Sequence, residues 1–223
     1  MTIQRQKQNN SALWLVLGGA FVLRMILAGV TEGYPYDMSC FVAWGDKLAS
    51  EGPAAFYSAD YFADYPPGYI LVLGLVSLVR KALQLSYESR WTYFLLALIP
   101  AICDCAAVVL LDHISRRYMG QGRAQRCLVL FAAFCPLTLF DTGIWKQIDG
   151  AFALPLLLCF RLLEERRYLL AAVLYGVALA IKPQALLAGP VLAVCFLVAI
   201  ADAVRDGKSP LKSVGQIFGG AAL

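Results

Sequence analysis

Seven apolar segments follow one another along this chain of 223 residues, and they restrict its fold more than any other feature. They cover roughly residues 12–30, 66–83, 91–111, 127–145, 148–163, 168–181 and 183–201. Hydrophobic residues make up 60% of the chain and charged residues only 15%, and the mean hydropathy is +0.66. In soluble domains about a quarter of all residues are charged. The sequence therefore predicts an all-α polytopic membrane protein.

The polar residues exclude several other classes of protein. The net charge of +4 comes from scattered Lys and Arg rather than from a basic face, which disfavours nucleic-acid binding. Six of the seven cysteines lie in apolar runs, where Cys behaves as a small hydrophobe. With His113 as the one histidine, a zinc site or a Ser-His-Asp triad lacks its residues. We expect no disulfide framework, metal or cofactor, and two or three acids on the predicted outer side leave a divalent cation as an open alternative.

The apolar segment at 66–83 differs from the others because its continuous apolar run is short. Crossing a hydrocarbon core of about 30 Å takes about 20 helical residues. If this segment stays on the outer side, about 12 Lys and Arg lie inside and about 6 outside, as the positive-inside rule requires. If it crosses, the bias reverses. We therefore predict about six spans within residues 1–201, an uncleaved cytoplasmic N-terminus and an outer loop at 31–90.

The predicted outer loop contains two amphipathic or apolar stretches that suit the membrane surface. Apolar residues recur at helical spacing opposite a polar face. The apolar stripe consists of Met38, Phe41, Val42, Gly45, Leu48 and Ala49, and the polar face of Ser39, Asp46, Lys47 and Ser50. We predict interfacial helices near 38–50 and 66–83. Residues 202–223 are expected to form a cytoplasmic basic stretch and the start of a further, truncated span.

The acids of this loop are the first candidates for chemistry. Asp37 directly precedes the predicted helix at 38–50, so it is either an N-cap or a general base held at the membrane surface, and the two roles are compatible. Asp64 and Tyr65 begin an Asp-Tyr-Pro-Pro-Gly-Tyr turn. For Asp64 a turn or capping role is the alternative to a contact with substrate.

Two later segments place cations on the same predicted face. Lys146, Gln147 and Asp149 lie on a short loop between apolar segments, where a lone lysine is usually a solvated anchor. Lys182 is flanked by apolar residues, and Pro183 disfavours helical geometry at Lys182. Lys182 is therefore the stronger candidate for a binding role.

Two charged residues fall inside predicted spans. Ionisable groups within a bilayer are paired or functional, and Arg24 and Asp104 come to similar predicted depths. An arginine side chain is long enough to bridge the remaining offset. We predict a structural intramembrane pair rather than a direct catalytic role.

The ordered combination of these motifs resembles one family. The motifs are Asp37-x-x-x-Phe41-x-x-Trp44, Glu51-Gly52-Pro53-x-x-Phe56-Tyr57, Asp64-Tyr65-Pro66-Pro67-Gly68-Tyr69, Trp145-Lys146-Gln147-Ile148-Asp149-Gly150 and Lys182-Pro183-Gln184. From about residue 12 to 200 the chain is similar to bacterial relatives of the GPI-anchor mannosyltransferase PIG-V, of the GT-C class of integral-membrane glycosyltransferases. The resemblance implies a GT-C-like helical bundle in a bacterial plasma membrane, with its active face outside.

The resemblance also implies a reaction and roles for these residues. An inverting single displacement would move a sugar, by resemblance mannose, from a polyprenyl-phosphate donor to a lipid or glycan acceptor. Asp37 matches the catalytic base of the class, and Asp64 and Asp149 match acids that contact the acceptor. Lys182, together with Lys146, would stabilise the leaving phosphate. Tyr65 and Gln147 belong to the same substrate-binding motifs.

Two other functions remain open from the sequence. A polytopic transporter or lipid flippase could use Arg24, Asp104 and a broken helix at Pro183, but no matched half-repeats are visible. A non-catalytic fragment of a longer glycosyltransferase would also carry these motifs. Donor-dependent transfer of a sugar would distinguish an active glycosyltransferase from both alternatives.

Overall fold

The structure is a computed structural model that describes the backbone of residues 2–205 and the side chains of residues 11–202, 204 and 205. Within these ranges every regular element is a helix. The α-helices are α1 (Thr2–Val30), α2 (Pro35–Glu51), α3 (Pro53–Phe56), α4 (Pro67–Ala82), α5 (Arg90–Met119), α6 (Arg123–Ala133), α7 (Pro136–Thr138), α8 (Asp149–Glu164), α9 (Tyr168–Ile181) and α10 (Gly189–Arg205). A π-helix covers Leu139–Trp145 and a 3₁₀-helix covers Pro183–Ala188. The predicted cytoplasmic stretch at 202–223 lies largely outside the described residues.

Within the described part of the chain, four helical stretches are long and apolar enough to cross a membrane, which confirms the predicted all-α class. They are Ser11–Val30, Arg90–Met119, Arg123–Trp145 and Pro183–Asp202. Two further predicted spans form shorter helices, α8 with 16 residues and α9 with 14. At about 1.5 Å per residue these helices are shorter than a hydrocarbon core of about 30 Å. The helices indicate a membrane protein, and the number of six spans stays a prediction.

The chain divides into two compact units. The first consists of Met1–Asp64 and Tyr69–Ala151, and the second of Tyr65–Gly68 and Phe152–Leu223. In the first unit α5 packs against α1 and α6. Two apolar clusters form these contacts: Leu17, Ala20, Val108, Val129 and Ala133 in one, and Met25, Ala28, Ala97 and Ala101 in the other. Alanines in both clusters let the helix backbones approach closely, as in other membrane bundles.

In the first unit α2 and α4 cross at two glycines. A Cβ at Gly45 would lie 2.5 Å from the carbonyl oxygen of Leu73, and a Cβ at Gly74 would lie 2.5 Å from the side chain of Leu48. Most of the predicted apolar stripe of α2 is buried: Met38, Phe41, Val42 and Gly45. The predicted helices near 38–50 and 66–83 are therefore present, and they pack on each other.

The predicted polar face of α2 is only partly solvent-exposed, which corrects the sequence analysis at Asp46. Arg80 of α4 donates two hydrogen bonds of 2.7 Å to the Asp46 carboxylate, and Ser77 donates another. Burial acts to raise the pKa of Asp46, but these bonds and the charges of Arg80 and Lys81 lower it overall. The polar face therefore contributes an ion pair to the contact between the two helices.

We expect Gly45→Leu to destabilise this crossing by about 1–3 kcal/mol or more, because the added side chain meets the backbone of α4, which cannot rotate away. The thermal unfolding midpoint of the purified protein in detergent measures the effect. Gly18→Leu is the matched control, since no heavy atom lies within 4 Å of a Cβ at Gly18. Equal midpoints for the two variants would show that the glycine contact between α2 and α4 is dispensable.

The second unit has its own apolar cluster, formed by Cys159, Ala171 and Leu192 of α8, α9 and α10. The rings of Tyr168 and Phe196 lie 6.0 Å apart beside it. The Pro-Pro-Gly turn belongs to this unit, and a Cβ at Gly68 would lie 2.5 Å from the carbonyl oxygen of Ala180. Glycine at this position therefore lets the turn lie directly against the end of α9.

Candidate active site

Asp37 lies in the first turn of α2 and not before it. The helix begins at Pro35, and its N-cap residue is Tyr34, whose side chain makes no capping hydrogen bond. The N-cap role expected for Asp37 is therefore wrong. The helix begins three residues earlier than predicted because the fixed φ of Pro35 suits the first helical position. The carboxylate still lies at the positive end of the helix dipole, where a negative charge is stabilised.

Gln147 holds the Asp37 carboxylate. Its Nε2 donates a hydrogen bond of 2.6 Å to Oδ2 of Asp37, across 110 residues of sequence. Gln147 is 8% exposed and Asp37 is half-buried. Across residues 11–205, no other hydrogen bond to this carboxylate is present, and Oδ1 accepts none. The carboxylate is therefore oriented from one side and keeps one oxygen for another partner.

Asp64 lies within electrostatic reach of the same place. Burial raises the pKa of the Cys40 thiol, and the negative charges of Asp37 and Asp64 raise it further. Cys40 follows Asp37 by one turn of α2. Asp64 itself is exposed, in the segment between α3 and α4. Two of the acids predicted from the sequence thus lie within electrostatic reach of Cys40.

Lys146 is enclosed in the first unit rather than solvated on a loop. It is 0% exposed and has left-handed backbone geometry, with φ 63° and ψ 37°. Its Nζ donates to the carbonyl oxygen of Thr31 at 2.9 Å, to Thr31 Oγ1 at 2.8 Å and to the carbonyl oxygen of Ile144 at 3.3 Å. Burial lowers the pKa of Lys146 to about 8, and the charge of Glu32 opposes this shift. The solvated anchor is thus wrong, and a contact with the donor phosphate stays a prediction.

Glycine at position 33 makes room for this lysine. Gly33 has a φ of 77°, which L side chains rarely adopt. A Cβ there would lie 2.9 Å from the side chain of Met38 and 3.3 Å from Cδ of Lys146. The connection between α1 and α2 therefore closes over the buried lysine, and Thr31, its acceptor, lies just before that connection.

The intramembrane charges lie next to this corner. Arg24 Nε donates to Asp104 Oδ2 at 2.9 Å, and Arg24 is only 1% exposed. Its Nη2 donates to Thr138 Oγ1 at 2.9 Å, and its Nη1 donates at 2.9 Å to the carbonyl oxygen of Ala133, the last residue of α6. Thr142 donates to Asp104 Oδ2 at 2.7 Å. Arg24 thus pairs with Asp104 and also satisfies a carbonyl that the helix end leaves without an intrahelical partner.

The remaining predicted site residues lie in different places. Asp149 is the first residue of α8, in the first unit, and is half-buried. Tyr65 and Lys182 belong to the second unit. Lys182 has extended backbone geometry between α9 and Pro183, as the proline predicts, and is 8% exposed. Its Nζ lies 5.9 Å from the ring centre of Phe152, within reach of a cation–π interaction.

Three residues that build the corner around Lys146 and Asp104 were not predicted from the sequence: Thr31, Gly33 and Thr142. A threonine or glycine near a span end carries no distinctive pattern. A Thr-Gly pair just before Lys146, at 142–143, was the available signal, because small residues mark close helix contacts in membranes. Among the described residues, no group of three or more His, Cys, Asp or Glu side chains could hold a metal ion.

Comparison with known proteins identifies the family. No curated protein matches the chain, and no solved structure matches it. The sequence model of glycosyltransferase family 87 matches residues 62–204, which is more than half of the chain. The matched range contains most of the candidate residues, and Asp37 precedes it. With its membrane-length helices and this match, the chain belongs to glycosyltransferase family 87.

Proposed function

We propose that the protein transfers a sugar from a polyprenyl-phosphate donor to a lipid or glycan acceptor at the outer face of a bacterial plasma membrane. The family supports sugar transfer, and the resemblance to the GT-C relatives of PIG-V supports mannose and the lipid-linked donor. The observation that carries the proposal is the Asp37 carboxylate, which Gln147 orients through Oδ2 while Oδ1 accepts no bond from residues 11–205.

One carboxylate is sufficient for this reaction. Glycoside hydrolases use two because an alkoxide leaving group needs a proton. A polyprenyl phosphate leaves as a stable anion, so it needs electrostatic support and no acid. In the proposed step Oδ1 of Asp37 accepts the proton of the acceptor hydroxyl while that oxygen bonds to the anomeric carbon. The bond from the anomeric carbon to the phosphate oxygen breaks, and the configuration inverts.

The other candidate residues take supporting roles in this proposal. A cation is needed at the leaving phosphate, and we assign this role to Lys182, which would stabilise the developing negative charge. Asp64, Tyr65 and Asp149 would contact the acceptor. The positive-inside rule supports a cytoplasmic N-terminus, which places the loop of Asp37 on the outer side.

The test is a transfer assay with the full chain in bilayer nanodiscs. Radiolabelled polyprenyl-phosphate mannose is the donor and a membrane-lipid extract is the acceptor. We expect label in a covalent product only when donor, acceptor and protein are all present. Donors carrying other sugars test the choice of mannose. A folded, helical protein that transfers none of these sugars would overturn the proposal, and passage of the donor across the bilayer without product would indicate a transporter.

Within this proposal Lys146 is a positioning residue, because its three hydrogen bonds fix the corner from which Gln147 reaches Asp37. We expect Lys146→Met to lower kcat by roughly 10- to 100-fold and to change KM little, since small misplacements of a reacting group cost up to about 10²-fold. Initial rates in the transfer assay measure both constants. Lys81→Met, at a half-exposed lysine of α4, is the control and should leave both unchanged.

A double-mutant cycle separates positioning from a general loss of structure. If Lys146 acts through Gln147, Lys146→Met should have little further effect on kcat in a Gln147→Ala background. Two effects on kcat that simply multiply would contradict the positioning role. Thermal midpoints of all four proteins show how much of each change reflects unfolding.

A further inference from the structure

A groove lies on the first unit where α1, α5 and α6 meet, far along α5 from Arg90. Its cavity volume is about 160 Å³. Its apolar lining includes Val16, Val129 and Leu130, and its polar lining includes Asp112, Arg116 and Arg126. The apolar residues come from α1 and α6, and the charged residues come from the facing ends of α5 and α6. The groove is therefore apolar along its length and basic at one end.

The basic end is built around a buried carboxylate. Asp112 is 7% exposed and accepts hydrogen bonds from Arg116 Nε at 2.8 Å and from Gln125 Nε2 at 2.6 Å. Gln125 is itself 4% exposed. This bond uses Nε of Arg116, and among the described residues neither Nη group of Arg116 makes a hydrogen bond. These are the groups with which arginine binds phosphate in a two-pronged manner.

The charge around this end is strongly positive. Residues 112–126 contain four arginines and Asp112 as the one acid, which gives a net charge of +3 with His113 neutral. Arg126 is exposed, and its Nε bonds to the carbonyl oxygen of Gly122 at 3.4 Å. The arginines Arg116, Arg117, Arg123 and Arg126 lie at the adjoining ends of two membrane-length helical stretches. The positive charge at this end therefore exceeds the negative charge of Asp112, and the excess can attract an anion.

The apolar walls continue from this basic end into the membrane-length helices. Val16 lies in Ser11–Val30, and Val129 and Leu130 lie in Arg123–Trp145. A ligand that fits both parts has a negatively charged head and a hydrocarbon tail. Free phosphate or a soluble anion would leave the apolar walls uncovered, and an uncharged lipid would leave the arginines without an acceptor.

We propose that this groove binds one anionic phospholipid, with its phosphate between Arg116 and Arg126 and the first part of an acyl chain against Val16, Val129 and Leu130. Basic pockets between membrane helices bind such headgroups in other proteins. The site is separate from Asp37, and its existence does not depend on the sugar that the enzyme transfers. A bound lipid at this place would tie α1 to the ends of α5 and α6.

Native mass spectrometry of the full chain tests the proposal, with phosphatidylglycerol as the anionic probe and zwitterionic phosphatidylcholine, whose choline cation offsets the charge of its phosphate, as the net-neutral one. We expect one phosphatidylglycerol to remain bound under conditions that remove phosphatidylcholine. Arg126→Gln should weaken the binding of phosphatidylglycerol by about fivefold, the effect of one basic residue at an anionic lipid surface. Arg90→Gln, at the opposite end of α5, removes the same charge and should leave the binding unchanged.

A second variant tests the apolar part of the groove. Val16→Trp fills the space beside Val129 and keeps all arginines, so it should displace phosphatidylglycerol although the net charge is the same. The proposal fails if both lipids bind equally, if Arg90→Gln weakens binding as much as Arg126→Gln, or if Val16→Trp has no effect. Competition by inorganic phosphate alone at similar concentration would show that the site recognises only the headgroup, which would also overturn it.

Discussion

Asp37→Asn should lower the turnover of sugar transfer by at least about 10²- to 10⁴-fold, which is the usual contribution of a general base. Asparagine has the shape of aspartate, and its side-chain oxygen can still accept the hydrogen bond from Gln147. It cannot accept the proton of the acceptor hydroxyl. The fold should therefore remain while the chemical step slows. Initial rates with polyprenyl-phosphate mannose measure the change.

Two further variants show whether the effect belongs to Asp37. Asp60→Asn removes an exposed acid from the same loop and should leave the rate near that of the unmodified protein. Asp64→Asn tests the neighbouring carboxylate, which we expect to affect KM for the acceptor more than kcat. Near-full activity of Asp37→Asn would refute its role as the base, and a complete loss with Asp64→Asn alone would transfer that role to Asp64.

Asp104→Asn should destabilise the protein by about 3–5 kcal/mol, because it leaves the charge of Arg24 buried without a counter-charge. The neutral amide can still accept hydrogen bonds from Arg24 Nε and Thr142. The loss of stability therefore measures mainly the missing negative charge. The thermal unfolding midpoint in a fixed detergent and lipid mixture measures the effect.

The double variant Arg24→Met with Asp104→Leu is the comparison. It removes both charges and replaces them with apolar side chains, so it should be more stable than Asp104→Asn alone. Thr138 and the carbonyl of Ala133 would lose a donor in that variant, which limits the recovery. If the double variant were less stable than Asp104→Asn, the pair would contribute more than the neutralisation of two charges.

Much of the helical framework follows from the sequence. The apolar segments predict the main helices, and the stripe beginning at Met38 and Phe41 predicts which face of α2 is buried. The ion pair of Asp46 with Arg80 was not predictable, since it depends on how two helices separated by the turn at Pro67 cross each other. Periodicity describes one helix at a time, whereas a crossing depends on both.

The candidate site was predictable to a smaller extent. The prediction that Arg24 and Asp104 lie close together needed only their depth in the membrane, because unpaired charges there are costly. The sequence places Gln147 and Asp37 110 residues apart, and no local pattern indicates their hydrogen bond. Lys146 points inward because its backbone is left-handed. This conformation is uncommon at residues other than glycine, so local propensities do not predict it.

The π-helix at Leu139–Trp145 makes the number of residues in this segment as important as their identity. Its i→i+5 bonding accommodates one residue more than an α-helical turn would. Removing a single residue between Thr142 and Lys146 would replace the widened turn with an α-helical one, so these two side chains could not both keep their present positions. Lys146 would then turn away from Thr31, and Gln147 from Asp37. Single-residue deletions in this segment should thus be tolerated less well than most substitutions, because they act on the membrane charge pair and the site together.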